Sequence, residues 1–155
     1  MKKVLIALSA VLAMTACEPK NIFLQEWDTP YGNAPFSQIT TDQYLPAFKA
    51  GIAQQEKNIQ AIIDKPEAPS FENTVLALEQ SSPILDKVTG VFFNLAESDS
   101  SEEMQAIEEE VTPMLTESSN KIYMNEALFA RVKAVYEHQE GLSREQQMMV
   151  KKICP

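Results

Sequence analysis

Residues 40–63 read TTDQYLPAFKAGIAQQEKNIQAII, and this stretch decides the fold. Leu45, Phe48, Ile52, Ile59 and Ile63 recur at helical spacing, with glutamines and lysines filling the opposite face. Thr40 and Gln43 fit a capping box at its start, in which side chains satisfy the free N–H groups of a first turn. Pro46 falls in or near that first turn, where a missing N–H matters least. Pro66 and Pro69 end the helix.

The same signals continue toward the C-terminus. Ser70 is placed to cap a second helix with the stripe Phe71, Val75, Leu78, Leu85, Val88, Phe92 and Leu95, and Pro83 inside it predicts a kink or a break. Ser100 with Glu103 marks a third helix, carrying Met104, Ile107, Val111, Leu115 and Ile122 inward and Pro113 as an interior kink. Asn125 caps a fourth, with Leu128, Val132 and Val135, and Gly141 ends it. Ser143 with Gln146 opens a short fifth. Apolar alternation is rare and hairpin dipeptides are absent, so the expected fold class is all-α.

Toward the N-terminus the pattern changes. Residues 18–38 hold Pro19, Pro30 and Pro35, with Gly32 and Asn33 between the last two, and read as an extended tether with turns. Trp27, Tyr31 and Phe36 are expected to pack its later part on the helical body. Before it, Lys2 and Lys3 precede an apolar run from Val4 to Ala13, the length of a signal-peptide core and about half of what a spanning helix needs. Met14-Thr15-Ala16-Cys17 resembles a bacterial lipobox, with Met14 where Leu is more usual. The expectation is a lipoprotein signal peptide over 1–16, a lipidated tether over 17–38 anchored through Cys17, and a helical region over 39–155. The localisation that follows is an exported cell-envelope lipoprotein, on the periplasmic face or at the outer membrane.

Charge excludes one class of partner. The 155 residues carry a formal charge of −9. Cleavage after residue 16 would remove Lys2 and Lys3 and no acid, leaving 11 basic side chains against 22 acidic ones. Such a surface repels phosphate backbones, so nucleic acid is not an expected partner. Cys154 is the only other cysteine, and with Cys17 acylated no internal disulfide forms.

Chemistry is sparse. His138 is the only histidine, which rules out a two-histidine zinc site within the chain, and beside Glu137 it reads as a surface residue. Glu108, Glu109 and Glu110 point about 100° apart on a helix and do not converge on one ion. Glu97, Asp99, Glu102 and Glu103 lack the glycine and ligand spacing of a calcium loop. Four single glycines make no phosphate-cradling loop. The pairs Phe92–Phe93 and Met148–Met149 read as core or helix-contact residues. No catalytic and no metal-binding residue is assigned; Cys17 is assigned as the lipid attachment site.

Several segments nevertheless resemble one family together. Trp27-Asp28-Thr29-Pro30-Tyr31-Gly32, Pro35-Phe36, Tyr44-Leu45-Pro46-Ala47-Phe48 with Gly51, and Pro66-Glu67-Ala68-Pro69-Ser70-Phe71-Glu72-Asn73-Thr74 occur in order. Val91-Phe92-Phe93-Asn94-Leu95 and Ile122-Tyr123-Met124-Asn125-Glu126-Ala127-Leu128-Phe129-Ala130-Arg131-Val132 follow. This order resembles the opening of the thimet-oligopeptidase-like zinc metallopeptidases, in their peptidyl-dipeptidase and oligopeptidase A branches, over roughly residues 25–150.

The resemblance implies a long helical ellipsoid split by a channel, of which this chain would be the N-terminal wall. It implies zinc in the intact protein, held by an H-E-x-x-H helix and a later glutamate, with the motif glutamate activating water. It implies short peptides as substrates, with dipeptides released from the C-terminus. This sequence has no H-E-x-x-H, so no residue inherits a metal or catalytic role. The expectation is a truncated chain, inactive alone, whose missing catalytic portion would be a partner. The alternative is a membrane-tethered helical module that binds peptides or another protein without catalysis.

Overall fold

The computed structural model describes residues 20–98 and 101–153. Cys17, Cys154, Asp99 and Ser100, together with the whole segment read as a signal peptide, lie outside them. Among the described residues there is no strand, and the all-α expectation holds. No helix among them is long and apolar enough to cross a membrane.

Helix α1 runs Tyr44–Ile63 and follows a 3₁₀ turn, Thr41–Gln43. The predicted capping box at Thr40 does not form: no side chain caps this turn. At the same entrance Asn21 reaches in from the N-terminal segment and donates to the Gln43 carbonyl at 2.7 Å. The inward face also differs from the expected one. Tyr44, Ala47, Phe48, Gly51, Ile59 and Ile62 are buried, whereas Leu45, Ile52 and Ile63 are only half-buried. Both sets have helical spacing, but the observed one includes Gly51, whose missing side chain lets the helix beginning at Pro83 approach. A Cβ there would lie 3.0 Å from the Leu85 backbone nitrogen. Periodicity in apolar residues alone cannot count a glycine as an inward position.

After α1 the chain turns at Pro66–Pro69. Ser70 then caps a widely wound π turn, Phe71–Leu76, which tightens into α2, Ala77–Glu79. Its box is closed on both sides: the Asn73 N–H donates to Ser70 Oγ at 3.1 Å, and the Ser70 N–H donates to Asn73 Oδ1 at 2.9 Å. Of the two outcomes expected at Pro83, the structure has the break. The chain leaves helical geometry after Gln80, and Pro83 begins α3, Pro83–Ser98. At the first position of a helix the proline N–H has no partner to lose.

Helix α4, Glu102–Tyr123, runs through Pro113. Its cap is Ser101, one residue beyond the expected Ser100, and Ser101 Oγ accepts the Met104 N–H at 3.2 Å. Asn125 caps α5, Glu126–Glu137, as expected, accepting the Leu128 N–H at 2.9 Å. That helix ends at His138, before Gly141; Gly141 has φ +86° and turns the chain toward the next helix. Ser143 and Gln146 close the expected box on α6, Arg144–Ile153.

The core is aromatic where α1 meets α3. Phe92 has no exposed surface, and its ring lies 5.0 Å from Tyr44, 5.4 Å from Phe48 and 5.2 Å from Phe93, in edge-to-face geometry. This is the arrangement ring quadrupoles favour. Val88, Val91, Met104 and Val111 close the cluster from α3 and α4. Burial raises the Tyr44 phenol above its ordinary value of 10.0, which keeps it neutral in this core. Two smaller clusters hold the other end: Phe71, Val75, Val135 and Val150, and then Ile59, Ile62 and Leu128.

The N-terminal segment is bound tightly, but not by all the residues expected. Phe23 is completely buried, with its ring 5.4 Å from Tyr44 and 6.2 Å from Trp27. Trp27 is half-buried and donates its indole N–H to the Ile22 carbonyl at 3.0 Å. Lys87 of α3 lies over the Trp27 ring at 5.4 Å and donates to the Gln25 carbonyl at 3.1 Å. Tyr31 and Phe36, expected to pack, face outward.

Candidate functional site

The polar side chains singled out in the sequence do not converge. His138 is exposed at the end of α5, with Nδ1 3.0 Å from the Ala134 carbonyl of its own helix. Glu108, Glu109 and Glu110 are all exposed, and Glu110 pairs with Lys49 of α1 at 3.0 Å. Glu102 and Glu103 sit in the first turn of α4, where negative charge complements the helix dipole. Among the described residues no group of three or more His, Cys, Asp or Glu side chains is arranged to hold a metal ion. A zinc centre needs several nitrogen, sulfur or carboxylate donors around one point. The donor set of the described residues does not fit one.

The structure does bring together two segments that looked unconnected. Arg131 of α5 reaches back to the turn between α1 and α2. Its Nη1 donates to the Lys65 carbonyl at 3.0 Å, and its Nη2 donates to Asn73 Oδ1 at 3.2 Å. Both nitrogens also approach the Glu67 carbonyl at 3.4 Å. Asn73 is the hub of this turn: it donates to the Ala68 carbonyl at 2.9 Å and accepts from Thr74 Oγ1 at 2.8 Å. A planar guanidinium collects several carbonyls in one plane, which an ammonium cannot do. Arg131 Nε is buried without a partner, so the fork is held in place by its outer nitrogens alone. Arg131→Ala is therefore expected to lower the unfolding free energy by about 2 kcal/mol, with Arg131→Lys recovering only part of it. Chemical denaturation of the three proteins side by side checks this.

A groove of about 760 Å³ opens between α1, the α2–α3 break, α4 and the end of α6. Leu78, Leu85, Leu115 and Ile122 give it an apolar side, and Gln55, Ser118, Glu79, Asp86 and Lys152 are among its polar lining. Ser118 is buried and pairs with Gln55 Oε1 at 3.4 Å. Nearby, the Asn58 amide donates to the Ser81 carbonyl at 2.8 Å and ties α1 to the break. Ser82 also lines it, and the Ser82 hydroxyl donates to Asp86 Oδ1 at 3.0 Å across the first turn of α3; no histidine lies among the lining residues, and the open, mixed lining is that of a binding surface.

No protein-family model matches the chain. It is 43% identical over 122 residues to the dipeptidyl carboxypeptidase of Escherichia coli strain K12, and 42% identical over 122 residues to that of Salmonella typhimurium strain LT2. Each match takes in 79% of this chain, and the chain spans only 18% of the length of either relative. Over most of its length, then, this chain is similar to a segment of the bacterial dipeptidyl carboxypeptidases, the kind of protein its own motifs had resembled.

Proposed function

We propose that this chain is the N-terminal helical portion of an exported, zinc-dependent peptidase of the dipeptidyl carboxypeptidase type, which as a whole releases C-terminal dipeptides from short peptides. The observation that carries the reading is 43% identity over 122 residues to a protein of that name. The local architecture supports it. Phe92, Asn73 and Arg131, which hold the helices and the α1–α2 turn together, all fall in the segments that carry the resemblance.

In this reading the helices form one wall of a peptide channel, and zinc and its ligands belong to a portion outside this chain. The lipobox-like Met14-Thr15-Ala16-Cys17 supports a cell-envelope location in this reading, with acyl chains on Cys17 as the anchor. In this reading the chain alone, whose sequence has no H-E-x-x-H, is inactive. Purified 155-residue chain, incubated with zinc and short peptides, is expected to release no dipeptide by mass spectrometry. Turnover that a chelator abolishes would overturn the inactivity.

The open groove beside α4 favours a second reading, a tethered module that binds peptides without cleaving them. Saturable peptide binding by the isolated chain, with no cleavage, distinguishes it.

A further inference from the structure

The groove beside α4 carries polar groups that the chain leaves unpaired. Ser81, at the break between α2 and α3, lines it and is only 2% exposed. Its carbonyl accepts the Asn58 amide, and its N–H donates to the Leu78 carbonyl at 3.1 Å. Its hydroxyl has no hydrogen-bond partner among the described residues. Gln55 accepts the Ser118 hydroxyl through Oε1, and its amide NH2 likewise has no partner among them. A hydroxyl so enclosed without a bond is unfavourable, and a ligand group that bonds it removes that penalty.

Both signs of charge line the same groove. Glu79 ends α2 and Asp86 lies in the first turn of α3, on either side of the break; Lys152 lies in the last turn of α6. All three are exposed, and none belongs to an ion pair among the described residues.

These groups discriminate between occupants. A helix packed into the groove satisfies its own backbone, so its interior brings neither a free N–H or carbonyl nor a terminal charge. Ser81 and Gln55 would stay unpaired unless a side chain happened to reach them. A purely apolar ligand suits the leucines alone. An extended peptide brings an N–H and a carbonyl at every residue, together with aliphatic side chains for the apolar side. Its free termini add an ammonium to match Glu79 and Asp86 and a carboxylate to match Lys152.

We propose that this groove is a binding site for a short, extended peptide with aliphatic side chains and free termini, its backbone bonded by Ser81 and Gln55. The inference rests on the peptide-binding reading above and deepens it by naming the site and the chemistry of its ligand.

Trileucine is titrated into the full 155-residue chain by calorimetry, and circular dichroism checks that each variant folds. Saturable binding is expected, with triglycine at least about tenfold weaker because it offers nothing to the apolar side. Ser81→Ala, which keeps the backbone carbonyl that Asn58 uses, is expected to weaken trileucine about fivefold. Amidation of the trileucine C-terminus is expected to weaken binding to the unsubstituted chain about threefold and to leave binding to Lys152→Gln unchanged. Trileucine binding that Ser81→Ala and Lys152→Gln both leave untouched would overturn the groove assignment while the peptide-binding reading stands. A folded chain that binds neither trileucine nor a longer apolar peptide would remove that reading and this inference together.

Discussion

Phe92→Ala is expected to lower the unfolding free energy by about 4 kcal/mol, the largest effect of any single truncation proposed for this chain. The ring is fully enclosed, and it is the member of the aromatic cluster that touches Tyr44, Phe48 and Phe93 at once. Its removal forfeits the transfer energy of a large apolar group and leaves a cavity that three rigid rings cannot collapse to fill. Edge-to-face contacts add about 0.5–1.5 kcal/mol each beyond area burial. Domains of this size are stable by about 5–15 kcal/mol, so the variant should stand near its unfolding threshold. Urea denaturation followed by far-ultraviolet circular dichroism measures the loss. Phe36→Ala, a truncation of the same residue type at an outward position, is the internal control and should change stability by less than about 0.5 kcal/mol.

The second large effect is expected at Phe23. Phe23→Ala should cost about 3–4 kcal/mol and should act locally as well as globally. Phe23 is the buried anchor of the N-terminal segment, which is otherwise held by hydrogen bonds such as Asn21 to Gln43 and by Lys87 over Trp27. Side-chain hydrogen bonds of this kind contribute about 1 kcal/mol each and do not hold a segment against its chain entropy once the apolar contact is gone. Residues 21–39 should then become the first site of limited proteolysis, before any cleavage within α1. A Phe23→Ala protein that unfolds at lower denaturant but keeps residues 21–39 protease-resistant would show that the polar contacts suffice.

What could be read in advance follows the range of the interactions. Ser70, Asn125 and Ser143 were legible as caps because each bond closes within three residues. Ser101 displaced Ser100 by one position, since adjacent serines carry the same signal. The inward face of α1 was misjudged because Gly51, the closest point of approach to α3, has no side chain to enter an apolar pattern. The Asn21 bond to the Gln43 carbonyl, at the same helix entrance as the unused Thr40 cap, spans 22 residues and leaves no local signal. Arg131 was invisible as a clamp for the same reason: its partners lie 58 to 66 residues away. Even so, both sides of that clamp lay in segments picked out by resemblance, which carries long-range constraints that periodicity does not. Burial of Phe23 in preference to Tyr31 or Phe36 was likewise a tertiary choice among similar aromatic residues. The lack of any histidine besides His138, by contrast, needs no structure to be read.

The most direct test of the account is a graft. The segment of the Escherichia coli dipeptidyl carboxypeptidase that matches this chain is replaced by the corresponding 122 residues from here, and release of C-terminal dipeptides is measured. If these helices are equivalent to the segment they replace, the chimaera folds and retains dipeptide release. A chimaera that is folded by circular dichroism, yet releases no dipeptide, would contradict the claim.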